Sequence, residues 1–288
     1  MLGKLFKHEF RNVGRMGALL LIVAACVTAL GALYLLSPLF GSIIGQRKDA
    51  SIPMSLLSVL LGLLGLLSYA VMLVGISYGF LIWLGVRFYR SMYSDQGYLT
   101  HTLPVKPIEI LIAKTVTAGV WVLILSLAMY AMVIFLVLLG ASRVMDVSIV
   151  ELVRSASDTV GSILDLIKRE TGFSFTGSAV IFLITILIAP FSTICIMFGA
   201  VTLGQYSWKN KGLMGIIAYI GVRMAMNIVS GILGVGMTMF QFSQITESSN
   251  SLIMANGKNL ISLLINLFFA VVLFCWSIHV VQNRLNLE

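Results

Sequence analysis

The chain has 288 residues, of which 59% are hydrophobic and 10% are charged, with a formal net charge of +8 at pH 7. Soluble domains carry about 25% charged residues, so the composition excludes an ordinary soluble protein. The apolar residues also lie in long runs, which excludes the alternating strands of an outer-membrane barrel. We therefore predict an all-α membrane protein with one transmembrane domain over residues 1–288.

The first predicted element is an amphipathic helix over residues 1–16. Leu5, Phe6 and Phe10 share one side of this helix, and basic residues occupy much of the rest. This pattern is typical of a helix that lies on the anionic inner surface of a membrane and contacts its lipids. A plain basic anchor for the first span would explain the same residues, and the sequence leaves both interpretations open.

Six apolar runs are long enough to span a bilayer, which takes about 20 helical residues. They cover residues 17–40, 54–86, 116–141, 175–203, 213–240 and 260–281. The second run is longer than a bilayer is thick, so we expect its helix to tilt or to continue into water.

The distribution of Lys and Arg predicts the orientation, because cytoplasmic loops carry an excess of them. With the N-terminus inside, the cytoplasmic side holds eleven basic and four acidic residues, and the outer side holds seven of each. The eleven are Lys4, Lys7, Arg11, Arg15, Arg87, Arg90, Lys106, Lys114, Lys209, Lys211 and Arg284. We expect both termini in the cytoplasm. Topology thus accounts for the basic excess, and no nucleic-acid partner is predicted.

A polar, tyrosine-rich segment over residues 87–115 separates the second and third spans on the predicted cytoplasmic side. Its Ser, Asp, Gln and Gly residues have the composition of a helix end followed by a turn, and its two prolines would stop a helix. We expect a short ordered element that exposes Tyr93, Tyr98 and Leu99. Exposed aromatic residues are good anchors for a partner surface. The residues alone leave a docking element and a merely interfacial loop equally open.

The longest predicted loop, residues 142–174, lies on the outer side. Ser148 and Glu151 have the spacing of a capping box, and apolar residues recur at helical spacing from Val160 to Ile167. We expect amphipathic helices here, at the outer ends of the spans. A solvated spacer is the alternative.

The fifth span contains Arg223, about ten residues or roughly 15 Å from its start. An Arg at the bilayer centre costs about 3 kcal/mol on insertion scales, so it should face protein or water. Asn227 and Ser230 follow on the same face of the helix. This polar face predicts part of a translocation path. An Arg that is satisfied structurally, or that reaches to the interface, is the alternative.

Small residues predict close helix contacts at two places, Gly75-x-x-x-Gly79 in the second span and Gly231-x-x-Gly234 in the fifth. These contacts would lie either within the chain or at a seam between two copies.

The three cysteines each stand alone in a different span and are interpreted as small apolar fillers: Cys26, Cys195 and Cys275.

No catalytic motif occurs in the sequence: G-x-x-x-x-G-K-[ST], H-E-x-x-H and G-x-S-x-G are all missing, and no span contains a carboxylate. We therefore expect no enzyme activity, no metal site and no cofactor in this chain. Proton- or sodium-coupled carriers usually have acidic residues in their spans. The chain is thus not expected to energise transport by itself.

Two motifs carry a family resemblance. The segment Phe88–Val105, FYRSMYSDQGYLTHTLPV, resembles a stretch common in permease subunits of type 2 ATP-binding-cassette exporters from Gram-positive bacteria. The opening Leu2–Phe10, LGKLFKHEF, resembles the same group. The six-span plan and the large loop after the third span agree in outline over the whole chain. Among these permeases, the chain looks most similar to those that export small amphipathic peptides, such as the phenol-soluble modulin exporter of staphylococci.

The resemblance implies a type 2 exporter fold in the bacterial cell membrane, with a second permease copy and a separate cytoplasmic ATPase that holds ATP and Mg. Residues 1–16 would form the elbow helix. Cargo, amphipathic peptides or lipid-like molecules, would leave along the seam between copies. The ATPase-coupling residues would be Tyr93, Ser94, Asp95, Gln96, Gly97, Tyr98, Leu99 and Thr100.

One position departs from the family pattern. These relatives often have an acidic pair before Gly-Tyr-Leu, and here the second member is Gln96.

Two other functional classes stay open on the sequence. One is a stand-alone channel or ion-coupled carrier, and the other is a membrane protein of immunity or sensing that binds a peptide without moving it.

Overall fold

The computed structural model of the chain describes residues 2–37, 52–94, 107–145, 147–155, 157–158, 161, 175–206, 211–243 and 251–283. These ranges contain no β-strand. Their six long helices are α1 (Leu2–Leu36), α2 (Ile52–Tyr93), α3 (Pro107–Met145), α4 (Phe175–Gly204), α5 (Lys211–Ser243) and α6 (Ser251–Asn283).

Each of these six helices contains a stretch that is long and apolar enough to cross a bilayer. Their outward faces are apolar as well. Val137, Phe182 and Ile228, on three different helices, are 63%, 66% and 62% exposed within the chain. Large exposed apolar surfaces of this kind suit contact with lipid and not with water. The predictions of an all-helical, multi-pass membrane protein and of six spans are confirmed for the described part of the chain.

Helix α1 runs without a break from Leu2 to Leu36. The sequence predicted a separate helix over residues 1–16 and a span that begins at Gly17, and that boundary does not occur. The helix contains no proline, and a glycine costs only about 1 kcal/mol in a helix interior. Gly17 is therefore too weak a signal to end a helix whose apolar residues continue on both sides.

Helix α3 begins earlier than the predicted third span. No helix continues through Pro107, as the sequence predicted, and this proline is the first residue of α3. Proline suits this first position because its missing N–H group would have no partner within the helix. Glu109 follows in the first turn, where a carboxylate interacts favourably with the helix dipole. Helix α3 therefore begins nine residues before the predicted span start at Val116.

The chain divides into two compact units, each considered by itself. Unit 1 comprises Met1–Val13, Leu81–Leu123 and Leu166–Glu288. Within it, α4 packs along both α5 and α6. An apolar cluster lies at their contact and consists of Ile196, Met226, Ala270 and Leu273.

A glycine allows α4 and α6 to come close. A Cβ atom at Gly199 would lie 2.5 Å from the Cβ atom of Leu273 and 3.2 Å from its carbonyl oxygen. Both atoms belong to, or are fixed directly on, the backbone of α6, so no side-chain rotation could make room. Small residues at such positions let helix backbones approach in a membrane.

Unit 2 comprises Gly14–Phe80 and Ile124–Asp165. Inside it, the Thr28 hydroxyl donates to the carbonyl of Ala24 at 2.8 Å. The Tyr69 hydroxyl lies 3.2 Å from the same Thr28 oxygen. Because Thr28 has one hydroxyl proton, Tyr69 must be the donor of the second bond. This bond joins α1 to α2 within the apolar region.

The predicted capping box occurs in the segment that follows α3. The backbone N–H of Glu151 donates to the Ser148 hydroxyl oxygen at 3.2 Å, and that hydroxyl donates to the Glu151 carboxylate at 2.9 Å. The carboxylate also accepts from the backbone N–H of Ser148 at 3.4 Å. A short helix over residues 149–155 follows. The residues that predicted a further helix lie outside the described ones: Val160, Ile163, Leu164 and Ile167.

Three glycines of the two predicted contact motifs have no neighbour on another helix within the described residues. A Cβ atom added at Gly75, Gly79 or Gly231 would have no described atom within 4 Å. Packing against the described residues therefore does not explain these three glycines. Their helix surfaces remain open to lipid or to another molecule.

Candidate functional site

Three charged side chains of unit 1 form a cluster that we call the Glu9 cluster. The Arg87 Nη2 atom donates to Glu9 Oε2 at 2.9 Å, and the Lys114 Nζ atom donates to Glu9 Oε1 at 2.6 Å. The side chains of Glu9, Arg87 and Lys114 are 15%, 23% and 9% exposed. Each carboxylate oxygen thus has its own cation, and the cluster keeps a net charge of +1. Charge-assisted hydrogen bonds of this length are among the stronger polar contacts in proteins.

The cluster joins the ends of three helices. Glu9 and Lys114 lie about two turns after the starts of α1 and α3, and Arg87 lies about two turns before the end of α2. All three ends fall on the side that the charge pattern predicts to be cytoplasmic. The guanidinium carbon of Arg87 also lies 5.4 Å from the centre of the Trp83 ring, a cation–π contact.

Aromatic contacts fix the start of α1 beside the cluster. The Phe6 ring stacks on the Phe10 ring, with 6.0 Å between centroids, and the Phe10 ring lies 5.3 Å from that of Trp121 on α3. The indole N–H of Trp121 donates to the Phe10 carbonyl at 3.3 Å. Leu5, Phe6 and Phe10 are all half-buried. Phe10, on the apolar side of the predicted elbow helix, therefore packs on α3.

Tyr93, the first predicted coupling residue, packs against α4. Its hydroxyl lies 2.9 Å from the Thr202 hydroxyl, which itself donates to the carbonyl of Phe198 at 2.9 Å. Since Thr202 has one proton to give, Tyr93 is the donor between the two. The expectation that Tyr93 is exposed was wrong, because the side chain is half-buried. Phe88, one turn earlier, stacks on Phe198 with centroids 4.0 Å apart.

The remaining coupling residues are placed as follows. Ser94 is half-buried and comes directly after the last residue of α2. The other six lie outside the described residues: Asp95, Gln96, Gly97, Tyr98, Leu99 and Thr100. Their predicted role in coupling stays a prediction.

Arg223 lies on α5 with its side chain half-buried. Its Nε atom donates to the Tyr219 hydroxyl at 3.1 Å, and its Nη2 atom donates to the Thr193 hydroxyl on α4 at 3.4 Å. Asn227 is exposed and Ser230 is half-buried. The structure thus brings Arg223 to α4, and it gives the guanidinium neutral hydroxyl partners. A polar surface of this composition can offer hydrogen bonds to an anionic or carbonyl-rich molecule.

Sequence reasoning missed the Glu9 cluster. It treated Arg87 and Lys114 as separate interfacial anchors and counted Glu9 only toward the charge balance. One signal was present in the sequence. Glu9 is the sole carboxylate in a segment with five basic or histidine neighbours within seven residues on either side. Which distant cations it meets depends on the packing of α2 and α3, and that is not readable from local sequence.

Comparison with protein families, with curated proteins and with solved structures finds no match to this chain.

Proposed function

We propose that this chain is the membrane-spanning subunit of an ATP-driven exporter in the bacterial cell membrane. A separate cytoplasmic ATPase subunit would hold ATP and Mg and carry out hydrolysis, because the sequence has no phosphate-binding loop of its own. The proposed cargo is amphipathic or hydrophobic, with small peptides as the first candidates. The similarity of residues 88–105 to permease subunits motivates the proposal.

One structural observation supports a coupling role for residues 93–100. The last two turns of α2, which lead directly into this segment, bond to two other helices, and one of these two bonds to a third. Arg87 bonds to Glu9 on α1, Glu9 bonds in turn to Lys114 on α3, and Tyr93 bonds to Thr202 on α4. A displacement of the segment by an ATPase would therefore act on several helices together. Packed elements of this kind transmit motion because they shift as bodies and do not deform continuously.

Two uncovered glycines on α2 support the proposal that the chain pairs with a second permease copy. Gly75 and Gly79 lie one turn apart on α2, and the surface they form is uncovered in the described chain. We expect Gly79→Ile to weaken association between copies, since a bulky residue would hold the helices apart. Ala131→Ile, at an exposed position on α3, is the control. Energy transfer between fluorescently labelled copies in liposomes measures the effect. Equal association of both variants would argue against this seam.

The coupling proposal is tested by co-expressing the chain with candidate ATP-binding-cassette ATPase subunits, beginning with any that is encoded near its gene. Tyr98→Ala combined with Leu99→Ala should leave the complex assembled and ATP hydrolysis measurable. Export of a labelled amphipathic peptide from inverted vesicles should fall at least tenfold. Tyr206→Ala, a 49% exposed tyrosine outside the segment, is the control. Normal export by the double variant would reject the coupling role, and failure to bind any ATPase would reject the exporter class.

The half-buried Arg223 with the exposed Asn227 also permits a second function, a stand-alone channel or ion-coupled carrier. A transport assay with the purified chain in liposomes, without an ATPase, distinguishes this function from that of an ATP-driven exporter. Ion flux or peptide uptake under those conditions would favour the carrier. Binding of peptide without movement into sealed vesicles would favour a protein of immunity or sensing.

A further inference from the structure

A cleft of about 640 Å³ lies beside the Glu9 cluster. It is formed by the adjoining ends of α1, α2 and α3, all within unit 1. Its apolar wall includes Leu5, Trp83 and Ile110. Its polar lining includes His8 and Arg90 in addition to the Glu9 cluster. Apolar and cationic groups therefore face one space at the end of three membrane-spanning helices.

The charge of the cleft favours an anion. Its lining contains three cations, Arg87, Arg90 and Lys114, and one carboxylate, Glu9, which together leave a formal net charge of +2. Arg87 and Lys114 already share the carboxylate. Arg90 is exposed and forms no ion pair with the described residues. The guanidinium of Arg90 is thus available, and a guanidinium matches the geometry of a phosphate.

The apolar wall and the position of the cleft identify the kind of anion. A free phosphate ion would gain nothing from Leu5, Trp83 and Ile110, and it would occupy only a fraction of the volume. A phospholipid offers a phosphate together with a glycerol backbone and the first methylenes of its acyl chains. Tryptophan is enriched at the level of lipid headgroups. Basic pockets between membrane helices on the cytoplasmic side are known to take anionic headgroups.

We propose that this cleft binds the headgroup of an anionic phospholipid of the inner leaflet. Arg90 contacts the phosphate, and the apolar wall lies along the glycerol and the upper acyl chains. The Glu9 cluster forms the floor and keeps the three helix ends in place. This site is independent of whether the chain exports cargo, because it requires only that the helix ends lie at the inner membrane surface.

Native mass spectrometry of the full-length chain with added lipids tests the proposal. The first bound phosphatidylglycerol should be held several-fold more tightly than the first bound phosphatidylcholine. Arg90→Gln should lower the affinity for phosphatidylglycerol about fivefold, the effect expected for one basic residue near an anionic surface. Arg15→Gln is the matched control, since it removes the same charge from an exposed position on α1 outside the cleft.

Three results would overturn the proposal. The first is an equal loss of affinity in both variants, because general attraction to the basic side would then explain binding. The second is no preference for phosphatidylglycerol in the unmodified chain. The third is retention of inorganic phosphate by the lipid-free chain in an Arg90-dependent way, which would assign the cleft to a free anion. Circular dichroism of both variants checks that they remain folded.

Discussion

The Lys114 ammonium lies 2.6 Å from the Glu9 carboxylate, although 105 residues separate the two in the chain. Arg87 contacts the other oxygen of the same carboxylate across 78 residues. One acidic residue therefore holds the start of α1 to both neighbouring helix ends. All three side chains are largely shielded, with exposed fractions of 15%, 23% and 9% for Glu9, Arg87 and Lys114, so water would replace the Glu9 carboxylate only in part. The cluster is therefore a structural constraint on the predicted cytoplasmic side.

We expect Glu9→Gln to destabilise the chain by about 3 kcal/mol. The neutral amide would leave Lys114 and Arg87 without a counter-charge, although their side chains are only 9% and 23% exposed. Removing one partner of such a shielded ion pair is strongly destabilising. Unfolding in mixed micelles of increasing dodecyl sulfate, followed by circular dichroism, measures the change. Asp158→Asn is the control, because this carboxylate is exposed. Equal stability of the two variants would show that the cluster contributes little.

The bond between Tyr93 and Thr202 should contribute about 0.6–1 kcal/mol, the range for hydrogen bonds between membrane helices. A double-mutant cycle with Tyr93→Phe, Thr202→Val and the combined variant isolates this energy. The two single changes should each destabilise the chain, and the double change should cost less than their sum. Strictly additive losses would mean that the two hydroxyls do not interact. The same unfolding assay supplies all three values.

Gly199→Ala should destabilise the chain by about 2 kcal/mol. Alanine is the better helix former, but its methyl group would meet the Leu273 Cβ and carbonyl on α6, and overpacking of this kind costs about 1–3 kcal/mol. Gly231→Ala is the matched control, since an added Cβ there meets no described atom within 4 Å. It should unfold at the same or a slightly higher dodecyl sulfate fraction than the unmodified chain. A neutral Gly199→Ala would mean that α4 and α6 separate easily.

Local and global features of the sequence differ in how well they predict this structure. The six spans follow from the length and composition of apolar runs, and the capping box follows from two residues three apart. Both are short-range properties of a helix in a membrane. The packing of Tyr93 on Thr202 and the meeting of Glu9 with Lys114 join residues more than 100 positions apart. Such pairs depend on how the helices pack, so the amphipathic pattern at the start of α1 could not predict that Phe10 contacts Trp121 on α3.

The last prediction concerns Arg223. Its three-point environment of Tyr219 hydroxyl, Tyr219 ring and Thr193 hydroxyl contains no carboxylate. Among the described residues no carboxylate competes for this guanidinium, so it can bind an anionic or carbonyl-rich cargo. Arg223→Ala should therefore yield normal amounts of folded protein that still binds its ATPase, while export of a labelled amphipathic peptide falls at least tenfold.

Two further variants separate a functional from a structural Arg223. Arg223→Lys keeps the charge and should retain a larger part of the export rate than Arg223→Ala. Thr193→Val removes the interhelical bond at 3.4 Å but keeps the guanidinium, so it should alter stability slightly and export little. A pattern in which Arg223→Ala and Thr193→Val both lower the yield of folded protein, with export per folded molecule unchanged, would establish that Arg223 joins α5 to α4 and does not contact cargo.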